Sequence, residues 1–258
     1  MSQLWKPTWQ LTRRALVQFP RIPTVLVFSM IPPLVQFLLF GSIFGDLPDQ
    51  LATFPTDNYH AYLAPAIVFF TTIIGVANAG MALVRDFRNG YFRKLLLAPI
   101  NKWAILLGRL LADGVRVYVQ AGLILLLALA FDASVVTGVA GALVMLAIST
   151  LFSLFTVGVL VANVGLRTKN EEAVQSIFPV FFIGIFLTTA FLPKASIGSD
   201  LVKTLIDANP AEYVIRPMRE LMLVGWDPSG LLLAAGITVA SAVVGVAITA
   251  LNFQTVYE

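Results

Sequence analysis

The residues best able to do chemistry are scarce in this chain, and the most informative ones cluster. Among 258 residues there is no cysteine and one histidine, His60. Disulfides, thiolate chemistry and Cys-ligated zinc are excluded, as is a paired-histidine metal or haem site within one chain. No G-x-x-x-x-G-K-[ST] stretch occurs, so the chain has no phosphate-cradling loop of its own. Positive charge gathers in residues 83–102, LVRDFRNGYFRKLLLAPINK, where Arg85, Arg88, Arg93, Lys94 and Lys102 surround an apolar centre with Gly90 and Pro99 at its joints. Such a segment makes and breaks no bonds. Its composition fits two roles equally: a short amphipathic helix seated in a groove of another protein, or a basic loop that fixes topology and touches anionic lipid.

A second ionisable set is Asp113 and Arg116, at i,i+3 inside an apolar run. A charge at mid-bilayer costs about 2.5–3.5 kcal/mol on the insertion scale. They are therefore expected in the first turns of a span, with Arg116 leaning back to water and within reach of Asp113. No further acid or histidine continues a proton relay along that helix.

The elements that position these groups are lipid-solvated. The chain is 58% hydrophobic and 12% charged, with a mean hydropathy of +0.86 and a formal charge of +3. Soluble domains carry about twice that share of charge. Six stretches are apolar enough to cross a hydrocarbon core of about 30 Å: 24–45, 62–84, 112–131, 135–166, 173–192 and 230–251. Unbroken apolar runs argue for helices and against a β-barrel. The expected class is an all-α integral membrane protein. Lys and Arg alternate between the connecting segments, which predicts both termini on the cytoplasmic side. The first run is read as a retained span and not a signal peptide, because it is too long and contains Pro32 and Pro33.

Two regions flank the spans. Residues 4–21 place Trp5, Trp9, Leu16 and Phe19 on one stripe and Lys6, Arg13, Arg14 and Arg21 opposite, the pattern of an interfacial helix. The segment between the last two spans reads as two short helices. Ser199 is expected to cap the first; Asn209, Pro210 and Glu212 have the spacing of an N-cap, first-turn proline and capping-box acid for the second, with a kink near Pro217. Whether the pair lies on the outer face or dips into it is left open by sequence.

The order R-D-x-x-x-G-x-x-x-K-L-L-L-A-P-I, Arg85 to Ile100, followed by Gly108-Arg109, resembles the ABC-2 permease family, the membrane subunits of type-2 ABC exporters, and most of all its daunorubicin-resistance branch. A second similar patch is Phe191-Leu192-Pro193, then Asn209-Pro210, Tyr213 and Arg219. The resemblance covers the whole chain, and implies one domain over 1–258: an elbow helix within 1–23, a cytoplasmic coupling loop at 85–103 and an external helical loop at 193–229. It implies that Asp86, Gly90, Arg93, Lys94, Leu96 and Pro99 dock on a separate ATPase, and that the external helices cap the passage. The family more often has an acid three residues after the glycine, where this chain has Arg93.

These readings predict a non-enzymatic exporter subunit for a lipid, a lipid-linked molecule or a drug. No cofactor is expected in the chain, ATP and Mg²⁺ belonging to the partner ATPase. A second permease copy or a homologue, and membrane lipid, complete the expected partners; nucleic acid is not among them. Phe178, Phe181, Phe182 and Phe186 either line a substrate passage or pack against lipid. The rival readings are a polysaccharide or glycolipid exporter permease and a membrane scaffold without transport.

Overall fold

A computed structural model describes residues 2–18, 23–52, 54–88 and 102–255. Among these the ordered elements are helical. Helix α1 is Ser2–Gln18, α2 is Pro23–Phe44, α3 is Leu47–Gln50 and α4 is Tyr59–Arg88. Helix α5 is Lys102–Ala130, and α6, Gly138–Ser153, runs through a π-helical turn, Leu154–Gly158, into α7, Val159–Thr168. There follow α8, Glu171–Gln175; α9, Phe178–Phe186; α10, Asp200–Ala208; α11, Glu212–Leu223; and α12, Pro228–Thr255.

Among the described residues, five stretches are long and apolar enough to cross a membrane: Val27–Gln50, Tyr59–Ala77, Leu107–Ala130, Gly138–Gly165 and Pro228–Thr249. They coincide with five of the six runs expected from hydropathy. The remaining run, 173–192, is not one rod. It comprises α8, a turn at Ser176 and Ile177, α9, and an irregular segment from 187 to 193. Pro179 explains the first break, because it has no N–H for the Gln175 carbonyl and its ring crowds that oxygen.

Helix α4 is the axle. Every residue from Ala61 to Ile73 is buried, with α2, α5, α6, α7, α9 and α11 around it. Buried hydroxyls and amides join the rods where apolar contact alone gives lipid-immersed helices little preference. Thr72 Oγ1 meets Ser149 Oγ at 2.7 Å and Ser153 Oγ at 2.8 Å. Gln120 donates to Ser29 at 2.6 Å, and Asn163 to Thr249 at 2.9 Å. Helix α12 is the least enclosed of the long helices, presenting Leu232, Val239, Val243 and Val244 outward.

Arg116 departs from expectation. Its guanidinium crosses to α4 and donates to the Gly75 carbonyl at 2.8 Å, instead of leaning out to water. Asp113 is buried and accepts from Arg109 Nε at 2.9 Å, one turn nearer the helix N-terminus. An apolar-looking helix face thus carries charge inward, because a neighbouring backbone oxygen and an i,i+4 partner satisfy it.

Helix α1 lies against α5. Thr8 and Thr12 are buried there, Thr12 donating to Gly108 O at 3.1 Å. A Cβ on Gly108 would stand 2.8 Å from Leu11 Cβ and 3.0 Å from Thr8 O, so the two backbones need the glycine. Trp5 and Trp9 face away, 66% and 63% exposed, and Lys6, Arg13 and Arg14 are exposed as well.

Candidate functional site

The Phe-rich helix α9 stands beside α4 and forms with it a half-open cavity of about 320 Å³. Phe70, Ile73 and Ala77 come from α4; Phe178, Phe182 and Ile185 come from α9. Among the described residues, no polar side chain contributes to its wall. These described side chains act on a ligand by shape and by the removal of apolar surface from water, about 25 cal/mol per Å².

From this cavity a run of ring contacts leads to the end of the bundle where α11 sits. Phe182 meets Phe186 at 4.8 Å between centroids, and Phe186 meets Phe191 at 5.0 Å. Phe191 meets Phe40 of α2 at 4.4 Å, and Phe40, Phe44, Tyr59 and Tyr62 continue at 5.9–6.2 Å. The run ends at a cation: the Arg219 guanidinium lies 3.9 Å over the Tyr62 ring.

The irregular segment after α9 is what this end must satisfy. Its backbone groups are buried without a helix to pair them, which costs heavily away from water. Side chains from α4, from α11 and from the turn before α11 supply partners. Glu212 accepts from Thr189 N and from Thr189 Oγ1, both at 2.7 Å. Arg219 donates to Thr189 Oγ1 at 2.9 Å and to Thr189 O at 2.7 Å, and Tyr62 Oη donates to that carbonyl at 2.7 Å. Tyr59 donates to Phe191 O at 3.0 Å, and Asn209 Nδ2 donates to Leu187 O at 2.7 Å. Thr189 is therefore gripped on every polar atom it has.

Glu212 does not close a capping box on Asn209. Its carboxylate is drawn to Thr189, where an unpaired amide offers a stronger claim, while Asn209 Oδ1 accepts from Ala211 N at 3.0 Å. Ser199 occupies the N-cap position of α10 but its side chain makes no capping bond. In α11, Val214, Ile215, Met218 and Leu221 are fully buried, among α4, α6 and α12. Pro217 lies within that helix. Beside the grip lies a second, polar hollow of about 340 Å³, lined by Tyr62, Lys194, Asp207, Glu212, Arg216 and Arg219. Lys194 pairs with Asp207, and Tyr213 Oη donates to Asp207 O at 2.6 Å.

Of the residues singled out by sequence, Phe178 and Phe182 line the cavity and Phe186 adjoins it. Asn209 and Arg219 both hold the irregular segment after α9, Tyr213 lines the polar hollow beside Arg219, and the neighbouring Pro210 is exposed at the turn into α11. Asp86 lies in the last turn of α4, with its side chain outside the described set; Gly90, Arg93, Lys94, Leu96 and Pro99 lie outside the described residues. Sequence reasoning missed Tyr59, Tyr62 and Thr189. The signal available was a threonine pair, Thr188-Thr189, closing a phenylalanine-rich run just before a proline.

Residues 7–223 match the family model for the ABC-2 type transporter. The chain belongs to the ABC-2 type transporter family. Members of that family are membrane permease subunits that work with an ABC ATPase subunit. This ABC-2 chain is 27% identical to the putative transport permease ycf38 of Cyanophora paradoxa over 217 residues, 82% of the chain and 72% of that protein. It is 25% identical to the daunorubicin resistance ABC transporter permease protein DrrB1 of Streptomyces coeruleorubidus over 216 residues, 81% of the chain and 72% of the relative. Against the probable multidrug ABC transporter permease YbhS of Escherichia coli K12 it is 24% identical over 198 residues, 74% of the chain and 50% of that protein. The family match ends at Leu223, the last residue of α11, so the cavity and the Thr189 grip both fall within the shared part of this ABC-2 permease.

Proposed function

We propose that this chain is the permease subunit of an ATP-driven exporter in the cell membrane, moving a hydrophobic or amphipathic molecule out of the cytoplasm or inner leaflet. The observation that carries this is the half-open α4–α9 groove, apolar along its described lining and continued by rings to a polar grip at one end of the bundle. A lipid, a lipid-linked molecule or a lipophilic drug fits such a wall, and relatives named for daunorubicin and multidrug resistance support the last. Six crossings, the α8–α9 segment counted as a broken one, form half of a passage, completed by a second copy or a homologous permease. Both termini and residues 85–103 face the cytoplasm, where that loop docks on the ATPase; α10 and α11 cap the outer end. Helix α1 lies in the inner interface, with Trp5 and Trp9 turned to lipid. ATP and Mg²⁺ act on the partner, and this chain catalyses no reaction.

The test is reconstitution with the cognate ATPase in proteoliposomes. Hydrophobic candidates should raise ATP hydrolysis and accumulate on the far side, and deletion of residues 91–97 should abolish both effects. Hydrolysis indifferent to every candidate, or transport that survives the deletion, would sink the proposal.

A further inference from the structure

Helix α9 has little reason in its own sequence to hold one rotational setting. Its residues, FPVFFIGIF, are apolar on every side. Lipid tails are as apolar as these side chains, so turning one face inward in place of another gains little. Within α9 only Ile185 is buried, while Val180, Phe182, Ile183 and Phe186 are exposed. The helix packs on α4, and the half-open cavity lies between the two. Side-chain packing is therefore loose where it would have to clamp the helix.

Its C-terminal end is held by hydrogen bonds instead. A helix leaves its last carbonyls without intrahelical partners, and away from water each must find another. Ile183 O accepts from Leu187 N at 3.0 Å and Ile185 O from the Thr188 hydroxyl at 2.6 Å, both local. Gly184 O and Leu187 O are met from far along the chain. Asn209 Nδ2 donates to Gly184 O at 2.5 Å and to Leu187 O at 2.7 Å, using both of its amide hydrogens. The rest of Asn209 is fixed in place: its N–H donates to Ile206 O at 3.1 Å, its Oδ1 accepts from Ala211 N at 3.0 Å and its carbonyl from Glu212 N at 3.1 Å. Among the described residues it is the one side chain from beyond residue 188 that bonds α9 itself; the Thr189 grip acts past the helix end.

We infer that Asn209 is a positioning residue: by holding Gly184 O and Leu187 O at the start of α11 it sets the rotation of α9. It thereby decides that Phe178 and Phe182 face the cavity, and that Val180 and Ile183 do not. One bond to one carbonyl would act as a swivel. Two carbonyls bound by a single planar amide admit one angle about the helix axis. Helix α11, buried among α4, α6 and α12, is the fixed reference to which α9 is registered. The consequence for substrate choice rests on the transport reading above: Asn209 shapes the substrate wall without touching the substrate.

The absence of cysteine lets paired cysteines report the setting of α9 without background. The Phe70 and Phe182 rings lie 6.1 Å apart, edge to face. A short bifunctional thiol reagent should therefore join Phe70→Cys to Phe182→Cys in nanodiscs, and should join Phe70→Cys to Ile183→Cys poorly. Asn209→Asp keeps an acceptor for Ala211 N and removes both donors. In that variant the ratio of the first cross-link to the second should fall several-fold. Thr188→Val, which removes only the local tie to Ile185 O, should leave the ratio unchanged. If Asn209→Asp does not accumulate in the membrane, Asn209→Ser takes its place, with a hydroxyl to accept from Ala211 N and no amide. An unchanged ratio, or an equal fall in Thr188→Val, would overturn the assignment. So would failure of both Asn209 variants to accumulate, which would make Asn209 a residue of folding. The measurement needs neither ATPase nor substrate, so a chain that binds no ATPase would remove the exporter reading and leave this result standing.

Discussion

Glu212 and Arg219, two turns apart on α11, close on one residue, Thr189: the carboxylate takes its N–H and hydroxyl proton, and the guanidinium takes its hydroxyl and carbonyl oxygens. The acid and the base do not form a direct pair in this arrangement but share a neutral intermediary. Charge is thereby held at the end of an apolar bundle without an exposed counter-ion, and an irregular stretch of backbone acquires a fixed shape.

Thr189→Val keeps the volume and removes the hydroxyl, leaving one oxygen of Glu212 and one nitrogen of Arg219 without that partner. A loss of about 1–3 kcal/mol is expected, read as a lower unfolding temperature in nanodiscs. Glu212→Gln should cost less than Glu212→Ala, because an amide oxygen still accepts from Thr189 N. Equal unfolding temperatures for the two Glu212 variants would remove Thr189 from the account.

Phe182→Ala strips one ring from the α4–α9 cavity. An aromatic contact of that kind is worth about 1.5 kcal/mol, or about tenfold in affinity. The concentration of hydrophobic substrate that half-stimulates the partner ATPase should rise by that factor. Leu232→Ala, on the exposed face of α12, should leave it unchanged.

Gly108→Val places side-chain atoms where Thr8 O and Leu11 Cβ already lie within 3.0 Å of the first added carbon. Overpacking of this sort costs about 1–3 kcal/mol, here spent by lifting α1 from α5. Trypsin should then cut more readily after Arg13 and Arg14. An unchanged cleavage rate would mean that α1 is held by something other than this crossing.

Glu220 gives a pH dependence of known sign. Burial pushes its carboxyl above the ordinary range, with Arg216 opposing and Asp227 reinforcing the shift. The folded chain therefore holds that proton more tightly than the unfolded one. The contribution is complete below the unfolded value of about 4.5, and is lost as pH rises through the folded one. Glu220→Gln should flatten the fall in stability just above the usual carboxylate range. A wild-type slope retained in the variant would assign the effect elsewhere.

The long rods were legible because span length and hydropathy are local properties, and α2, α4, α5 and α12 lie where the runs of apolar residues lie. The break in 173–192 was not, since hydropathy stays high through Pro179 and through the loss of helix at Leu187. Arg116 was misjudged for a related reason: its partner, Gly75 O, is a backbone atom 41 residues away, invisible to side-chain patterning. At the grip, Asn209 was picked out by its capping spacing as well as by resemblance, and Arg219 by resemblance. Tyr62 and Thr189 carry no motif, and the bond from Thr189 to Glu212 spans 23 residues across a chain reversal. The π turn left no mark in a run whose hydropathy stays high on both sides of it.

The burial of α11 also bears on how the protein is made. Arg219 reaches the Tyr62 carbonyl across 157 residues of chain, and α11 occupies space between rods synthesised long before it. Those early helices must enter the bilayer and wait with a vacant slot among them. On the proposed topology a charged segment then crosses the membrane and folds back, so assembly finishes late, and variants that slow this return should be degraded as half-built intermediates.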